Sequence, residues 1–124
     1  MKDFNEHVGL VDLGLRDGAY VMELELGEHH WNRYGHAHGG ALFTLLDTTM
    51  SRAFFDTQPP DRNAGVTLEM KINYLKAVKE GRLTATGWVV NATRRTAYVE
   101  GHIKNADGEL VAKATATMYL VNPE

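Results

Sequence analysis

Hydrophobic and polar residues alternate with period two through most of the second half of the chain. In residues 66–75, Leu68, Met70, Ile72 and Tyr74 fall on one face, and Thr67, Glu69, Lys71 and Asn73 on the other. That is the pattern of a strand with one side buried. Glu80-Gly81 marks a turn into a second run at 82–91. Runs at 95–105 and 110–121 are joined by Ala106-Asp107-Gly108-Glu109, whose Asp-Gly pair signals a hairpin. Upstream, 20–26 places Tyr20, Met22, Leu24 and Leu26 together, and a short further strand is expected near 10–15. In the last run Ala112, Ala114 and Ala116 share a face, where small side chains let something bulky lie close to the sheet.

The period changes between the first strands and the rest. Residues 41–55 repeat as a helix, residues 3–8 suggest a short helical turn, and Pro59-Pro60 with the loop to Gly65 closes off the long element. On the helical period Leu42, Leu45, Leu46 and Ala53 form one broad side, while Gly40, Thr44, Asp47 and Ser51 form a small polar stripe. From Gly39 to Ser51 the one charged residue is Asp47, so the helix is expected to be enclosed on most sides. A strand, one long helix and four more strands make an α+β layer architecture, with about five to six strands in one antiparallel sheet.

Composition narrows the chemistry. The 124 residues suit a single domain, 1–124, too short for a cofactor domain beside a substrate domain. A net charge of −3, with no basic run longer than Arg94-Arg95, gives no electrostatic case for nucleic acid or an anionic membrane. The opening MKDFNEHVGL carries acids where a signal peptide needs an apolar core, and no stretch approaches the length of a membrane span. A cytoplasmic location follows as the expectation. Cysteine is absent, and the single serine, Ser51, is not in a Gly-x-Ser-x-Gly elbow. A hydrolase built on this chain is therefore expected to work with carboxylate, histidine and water.

The segment HHWNRYGHAHGGALFTLLD, residues 29–47, concentrates that inventory. A carboxylate set among small and apolar groups is costly to ionise, which suits Asp47 to general-base work; a structural acid paired with an arginine or hydroxyl fits the same position. Gly39-Gly40 stands at the start of the helix, where unpaired amides favour a carbonyl oxygen or an anion; a tight entry turn would also need glycine. His36 and His38 could supply imidazoles, but without cysteine or an assembled third ligand no metal is expected. His38 reads as an oriented site or interface side chain, and His29 and His30 as solvated loop residues. Asn32 offers an amide for a water or a carbonyl, or for its own loop.

The spacing Asn32-x-x-Gly35-x-x-His38-Gly39-Gly40, with Asp47 nine positions after the histidine, resembles the hotdog-fold acyl-CoA thioesterases, in particular their phenylacetate-degradation (PaaI-like) branch. The stretches 64–75 (AGVTLEMKINYL) and 107–112 (DGELVA) are similar to that family too, so the resemblance covers nearly the whole chain in order. It implies a long central helix wrapped by a curved antiparallel sheet, protomers paired edge to edge as dimers that often form tetramers, and active sites at the dimer interface. It implies hydrolysis of an acyl-CoA or aryl-acyl-CoA thioester without metal or organic cofactor. Asp47 matches the catalytic acid, acting as general base or nucleophile. The Gly39 amide matches the group that polarises the carbonyl, and Asn32 and His38 match substrate- and water-positioning residues. Thr67 matches a hydroxyl that orients the water from the partner subunit.

Gly40 and Ser51 are candidate substrate contacts; Ser51 stands where a branch with glutamate on the helix carries threonine. Arg94 and Arg95, or Lys71 and Lys76, are candidate partners for the CoA phosphates. Phe43, Met50, Phe54 and Tyr74 are candidate walls of an acyl pocket. The alternative is a hotdog module that binds acyl-CoA without turning it over.

Overall fold

A computed structural model of the chain describes residues 2–122. Helix α1 (Phe4–Val8) is opened by a capping box in which Asp3 accepts from the Glu6 amide and Glu6 answers the Asp3 amide. Strands β1 (Val11–Arg16) and β2 (Ala19–Leu26) form a hairpin, and the long helix α2 (Gly39–Phe55) follows. Strands β3 (Gly65–Tyr74), β4 (Gly81–Ala92), β5 (Thr96–Lys104) and β6 (Leu110–Leu120) complete the chain. All six strands lie in one sheet, ordered β1-β2-β4-β5-β6-β3, with every pairing antiparallel. The sheet carries α2 on one face, which is the hotdog arrangement. No helix among the described residues is long and apolar enough to cross a membrane.

Helix α2 starts at Gly39, two residues before the periodicity places it. The reason is a side-chain cap: His38 stays extended and its Nδ1 accepts the Gly40 amide at 2.8 Å. The leucine side of α2 (Leu42, Leu45, Leu46, Ala53) is buried against the sheet as its period requires. Met50 and Phe54 are buried with it, at 0% and 2% exposure, and belong to the core. The helix comes closest over two glycines that face each other across β4 and β5, Gly87 and Gly101. A Cβ on Gly101 would stand 2.8 Å from the Met50 Cγ, and one on Gly87 3.1 Å from the Met50 Cα. The buried alanines of β6 extend that floor, but the glycine pair on the central strands seats the helix.

Strand β3 departs from the simple alternation of its sequence. Its pairing with β6 runs Thr67↔Met118 and then Glu69↔Thr117, so Leu68 is an extra residue in a bulge. Leu68 is therefore 58% exposed instead of sharing the inner face with Met70 and Ile72. Thr67, assigned by alternation to the outer face, is turned inward toward α2.

Candidate active site

Two groups of polar residues stand along α2, one at its N-terminus and one at its middle. The first is built by the loop before the helix. Asn32 anchors this loop: its Oδ1 accepts the amides of Tyr34 (2.8 Å) and His36 (3.3 Å), and its backbone N–H donates to the His36 carbonyl at 2.8 Å. Gly35 closes the turn at φ +81, a backbone conformation that favours glycine, which accounts for the Asn-x-x-Gly spacing. With two N–H groups on its oxygen, the Asn32 amide presents its NH₂ end outward, and among the described residues that end has no acceptor.

At the helix start the peptide groups are held one after another. The His38 amide donates to the His30 carbonyl at 2.7 Å, and the His38 carbonyl accepts from Ala41 at 2.9 Å. The Gly40 amide is taken by His38 Nδ1, so it is engaged within the chain instead of being open to substrate as the sequence suggested. The Tyr74 hydroxyl donates to the Gly39 carbonyl at 2.9 Å. Between these, the Gly39 N–H has no partner among the described residues, as expected of a first-turn amide. It borders an open cleft of about 610 Å³ whose walls include Asn32, Tyr34, Gly39, Leu42, Tyr74 and Lys76. Burial pushes the Tyr74 hydroxyl's pKa above its ordinary value, so it stays protonated as a donor.

The second group lies two turns down the helix. Thr67 Oγ1 donates to Asp47 Oδ1 at 2.7 Å, and Ser51 Oγ lies 3.4 Å from Thr67 Oγ1. Thr67 has one proton, and the short contact gives it to Asp47; Ser51 thus donates to Thr67. The resemblance implied Thr67 acting from a partner subunit, whereas here it holds the carboxylate of its own chain. Asp47 Oδ2 has no hydrogen-bond partner among the described residues.

The two groups do not converge within one chain. Gly39 and Asp47 are eight residues apart in a continuous helix, about 12 Å at 1.5 Å per residue. Arg94 and Arg95 join neither the cleft nor the helix stripe: they sit in the β4–β5 turn, where Arg95 Nη1 donates to the Tyr119 hydroxyl at 3.3 Å. Lys71 is exposed on β3, and Lys76 lines the cleft while paired with Glu109 at 3.6 Å.

His30 is buried at 6% exposure, not solvated. Its Nδ1 accepts the Gly27 amide at 3.0 Å, and its Nε2 therefore carries the proton and donates to the Val8 carbonyl at 2.6 Å. It ties α1 to the loop behind the helix start. His29 is exposed, as expected. No group of three or more His, Asp or Glu residues among those described is placed to hold a metal ion. Sequence reasoning took Tyr74 for a pocket wall and missed its bond to Gly39. No local signal reports a contact between residues 35 positions apart.

Comparison with known proteins identifies the family. Residues 34–112 match the thioesterase superfamily. The chain is 30% identical to acyl-coenzyme A thioesterase 13 of Homo sapiens over 98% of this chain and 87% of that protein. Among solved structures it is similar to a conserved protein of Pseudomonas aeruginosa, 40% identical with a TM-score of 0.89, covering 98% of this chain and 95% of the other. It is also similar to a mutant of the phenylacetic acid degradation protein PaaI of Thermus thermophilus, 32% identical with a TM-score of 0.83, over 94% and 96% of the two chains. By its residues, its fold and these likenesses, the chain belongs to the thioesterase superfamily and is a thioester hydrolase.

Proposed function

We propose that the protein hydrolyses acyl- or aryl-acyl-coenzyme A thioesters to the free acid and CoA, at a site assembled from two copies of the chain. The observation that carries this reading is the separation of about 12 Å between two half-sites, one at the start of α2 and one at its middle, each with an open polar group. One offers the Gly39 N–H and the Asn32 amide; the other offers the second oxygen of a carboxylate held by Thr67. A thioester carbonyl cannot meet both in one chain, and it can where two helices lie antiparallel side by side. The unpaired edge of β3, with Val66 and Leu68 exposed on it and Leu75 exposed just past its end, is the surface through which two copies pair; such dimers associating as tetramers belong to the same proposal. The human relative is named for acyl-CoA hydrolysis and the Thermus thermophilus protein for phenylacetic acid degradation, which supports this substrate class.

In the reaction, the carbonyl oxygen lies against the Gly39 N–H of one protomer, with Asn32 and His38 positioning substrate and water. Asp47 of the other draws a proton from water as the water attacks the carbonyl carbon. Negative charge moves to the carbonyl oxygen, where a fixed amide donor stabilises it. The intermediate collapses with cleavage of the C–S bond, and the departing thiolate recovers the proton held by Asp47, leaving the acid and CoA. If Asp47 attacks the carbonyl itself, a mixed anhydride forms and water then cleaves it. Single turnover in ¹⁸O-water separates the two routes, because the anhydride route can leave label in Asp47.

Thiol release from acetyl-, medium-chain, long-chain and phenylacetyl-CoA tests the assignment. Release from at least one of them that disappears in Asp47→Asn is the expected result. Tight binding without release would replace hydrolysis by the acyl-CoA-binding alternative, and release that persists in Asp47→Asn would remove the mechanism.

A further inference from the structure

Catalysis by a single backbone donor depends on how well that donor is aimed, since an amide that can tilt loses most of its advantage over water. The Gly39 N–H belongs to the peptide between His38 and Gly39. The neighbouring peptides are clamped: the His38 amide donates to the His30 carbonyl, and the Gly40 amide donates to His38 Nδ1. The peptide that carries the Gly39 N–H is held within the helix where the His38 carbonyl accepts from Ala41, and the next peptide carries the Gly39 carbonyl; a shift of the whole helix start at residue 39 would still move both. One side chain from outside the helix opposes this. The Tyr74 hydroxyl, at the end of β3, donates to the Gly39 carbonyl at 2.9 Å, and its ring lies so close that a Cβ on Gly39 would stand 3.1 Å from both Cζ and the hydroxyl oxygen. Tyr74 therefore both bonds residue 39 and occupies the space into which it would move.

We infer that Tyr74 is a positioning residue that aims the Gly39 amide at the thioester carbonyl, linking the sheet edge to the helix start. The inference rests on the assignment of Gly39 as the carbonyl donor. It goes beyond that assignment by naming what holds the donor. Tyr74 touches no reacting atom in this arrangement, so its contribution falls on the chemical step and not on substrate affinity.

Tyr74→Phe removes the hydroxyl and keeps the ring on Gly39. With a CoA thioester that the wild type turns over, kcat should fall about tenfold while KM stays within about twofold, the signature of an interaction felt in the transition state. The thermal midpoint should stay within a few degrees, because an exposed hydrogen bond contributes only about 1 kcal/mol. An unchanged kcat overturns the inference. So does a raised KM with kcat intact, which would make Tyr74 a pocket wall, or a kcat loss accompanied by a large drop in thermal midpoint, which would make its role structural. Asp47→Asn run alongside separates the two levels: loss of turnover there with wild-type rates in Tyr74→Phe defeats this inference alone, whereas an inactive wild type defeats the function on which it rests.

Discussion

Thr67 donates its hydroxyl proton to Asp47 at 2.7 Å across the gap between β3 and α2, and it can do so because β3 gains one residue at Leu68. With plain alternation continued back from Met70 and Ile72, the threonine would face away from the helix. The bulge turns it inward, beside the single acid of the helix's first three turns. One carboxylate oxygen is thereby fixed and the other left open, the geometry a base or nucleophile needs.

Asp47→Asn should lower kcat by at least about a hundredfold, within the range general-base catalysis supplies. The amide oxygen still accepts from Thr67, so circular dichroism and thermal midpoint should match the wild type. A fall of less than about fivefold in thiol release would take Asp47 out of the mechanism.

Thr67→Val keeps the shape and removes the proton donor. The carboxylate would lose its anchor, and kcat should drop about tenfold, with stability changed by about 1 kcal/mol in chemical denaturation. Wild-type turnover in this variant would show that the carboxylate does not need the threonine.

A site shared between protomers predicts complementation. Asp47→Asn and Asn32→Asp should each be nearly inactive as homo-oligomers; the second keeps an oxygen for the Tyr34 and His36 amides and loses the outward NH₂. Co-refolding equal amounts should restore about a quarter of wild-type activity, since half the dimers would be mixed and each would hold one intact site. No recovery in mixtures proven to contain mixed dimers would return both half-sites to one chain.

Gly101→Ala places a methyl 2.8 Å from the Met50 Cγ and 3.0 Å from the Thr86 carbonyl oxygen. Overpacking of this kind costs about 1–3 kcal/mol. Denaturant midpoints should show that loss, and Met50→Ala in the same chain should recover part of it. Equal stability of wild type and Gly101→Ala would mean that the helix has room to lift there.

Asp12 joins β1 to the helix, accepting from the Tyr20 hydroxyl at 2.7 Å and from Arg52. Burial works against its ionisation, but the bonds from Tyr20, Arg52 and the Gly14 amide outweigh it and hold the carboxyl below its ordinary 3.8. A lowered folded pKa stabilises above the unfolded value and ceases to do so as pH falls through the folded one. Asp12→Asn should therefore melt lower than wild type at pH 7, and the gap should close below about pH 4. Tyr20, pushed up to about 12 by burial and by Asp12, carries the opposite sign: its contribution holds below about pH 10 and fades as pH rises toward 12. A constant gap between the two proteins from pH 3 to pH 7 would contradict the Asp12 account.

Much of this protein was legible in one dimension. The alternating runs located the strands, the leucine period located α2 and its buried side, and Asp107-Gly108 located a hairpin; each signal is local, because it depends on residues within one or two turns of each other. The Asn32, His38, Gly39 and Asp47 spacing was legible because it falls in one continuous stretch, 32–47, that resembles a known family. What the tertiary structure decided are relations between distant segments. The bulge at Leu68 is a count of two residues on β3 against one on β6, invisible without the partner strand, and it placed Thr67. The burial of Met50 and Phe54 depends on how α2 is rotated and seated, set by Gly87 and Gly101, which lie more than 30 residues further along the chain. His30 became a buried link because the Val8 carbonyl reaches it, and Tyr74 met Gly39 because β3 ends where α2 begins. Propensity and periodicity act along the chain; register, close approach and the pairing of a lone polar group are settled across it.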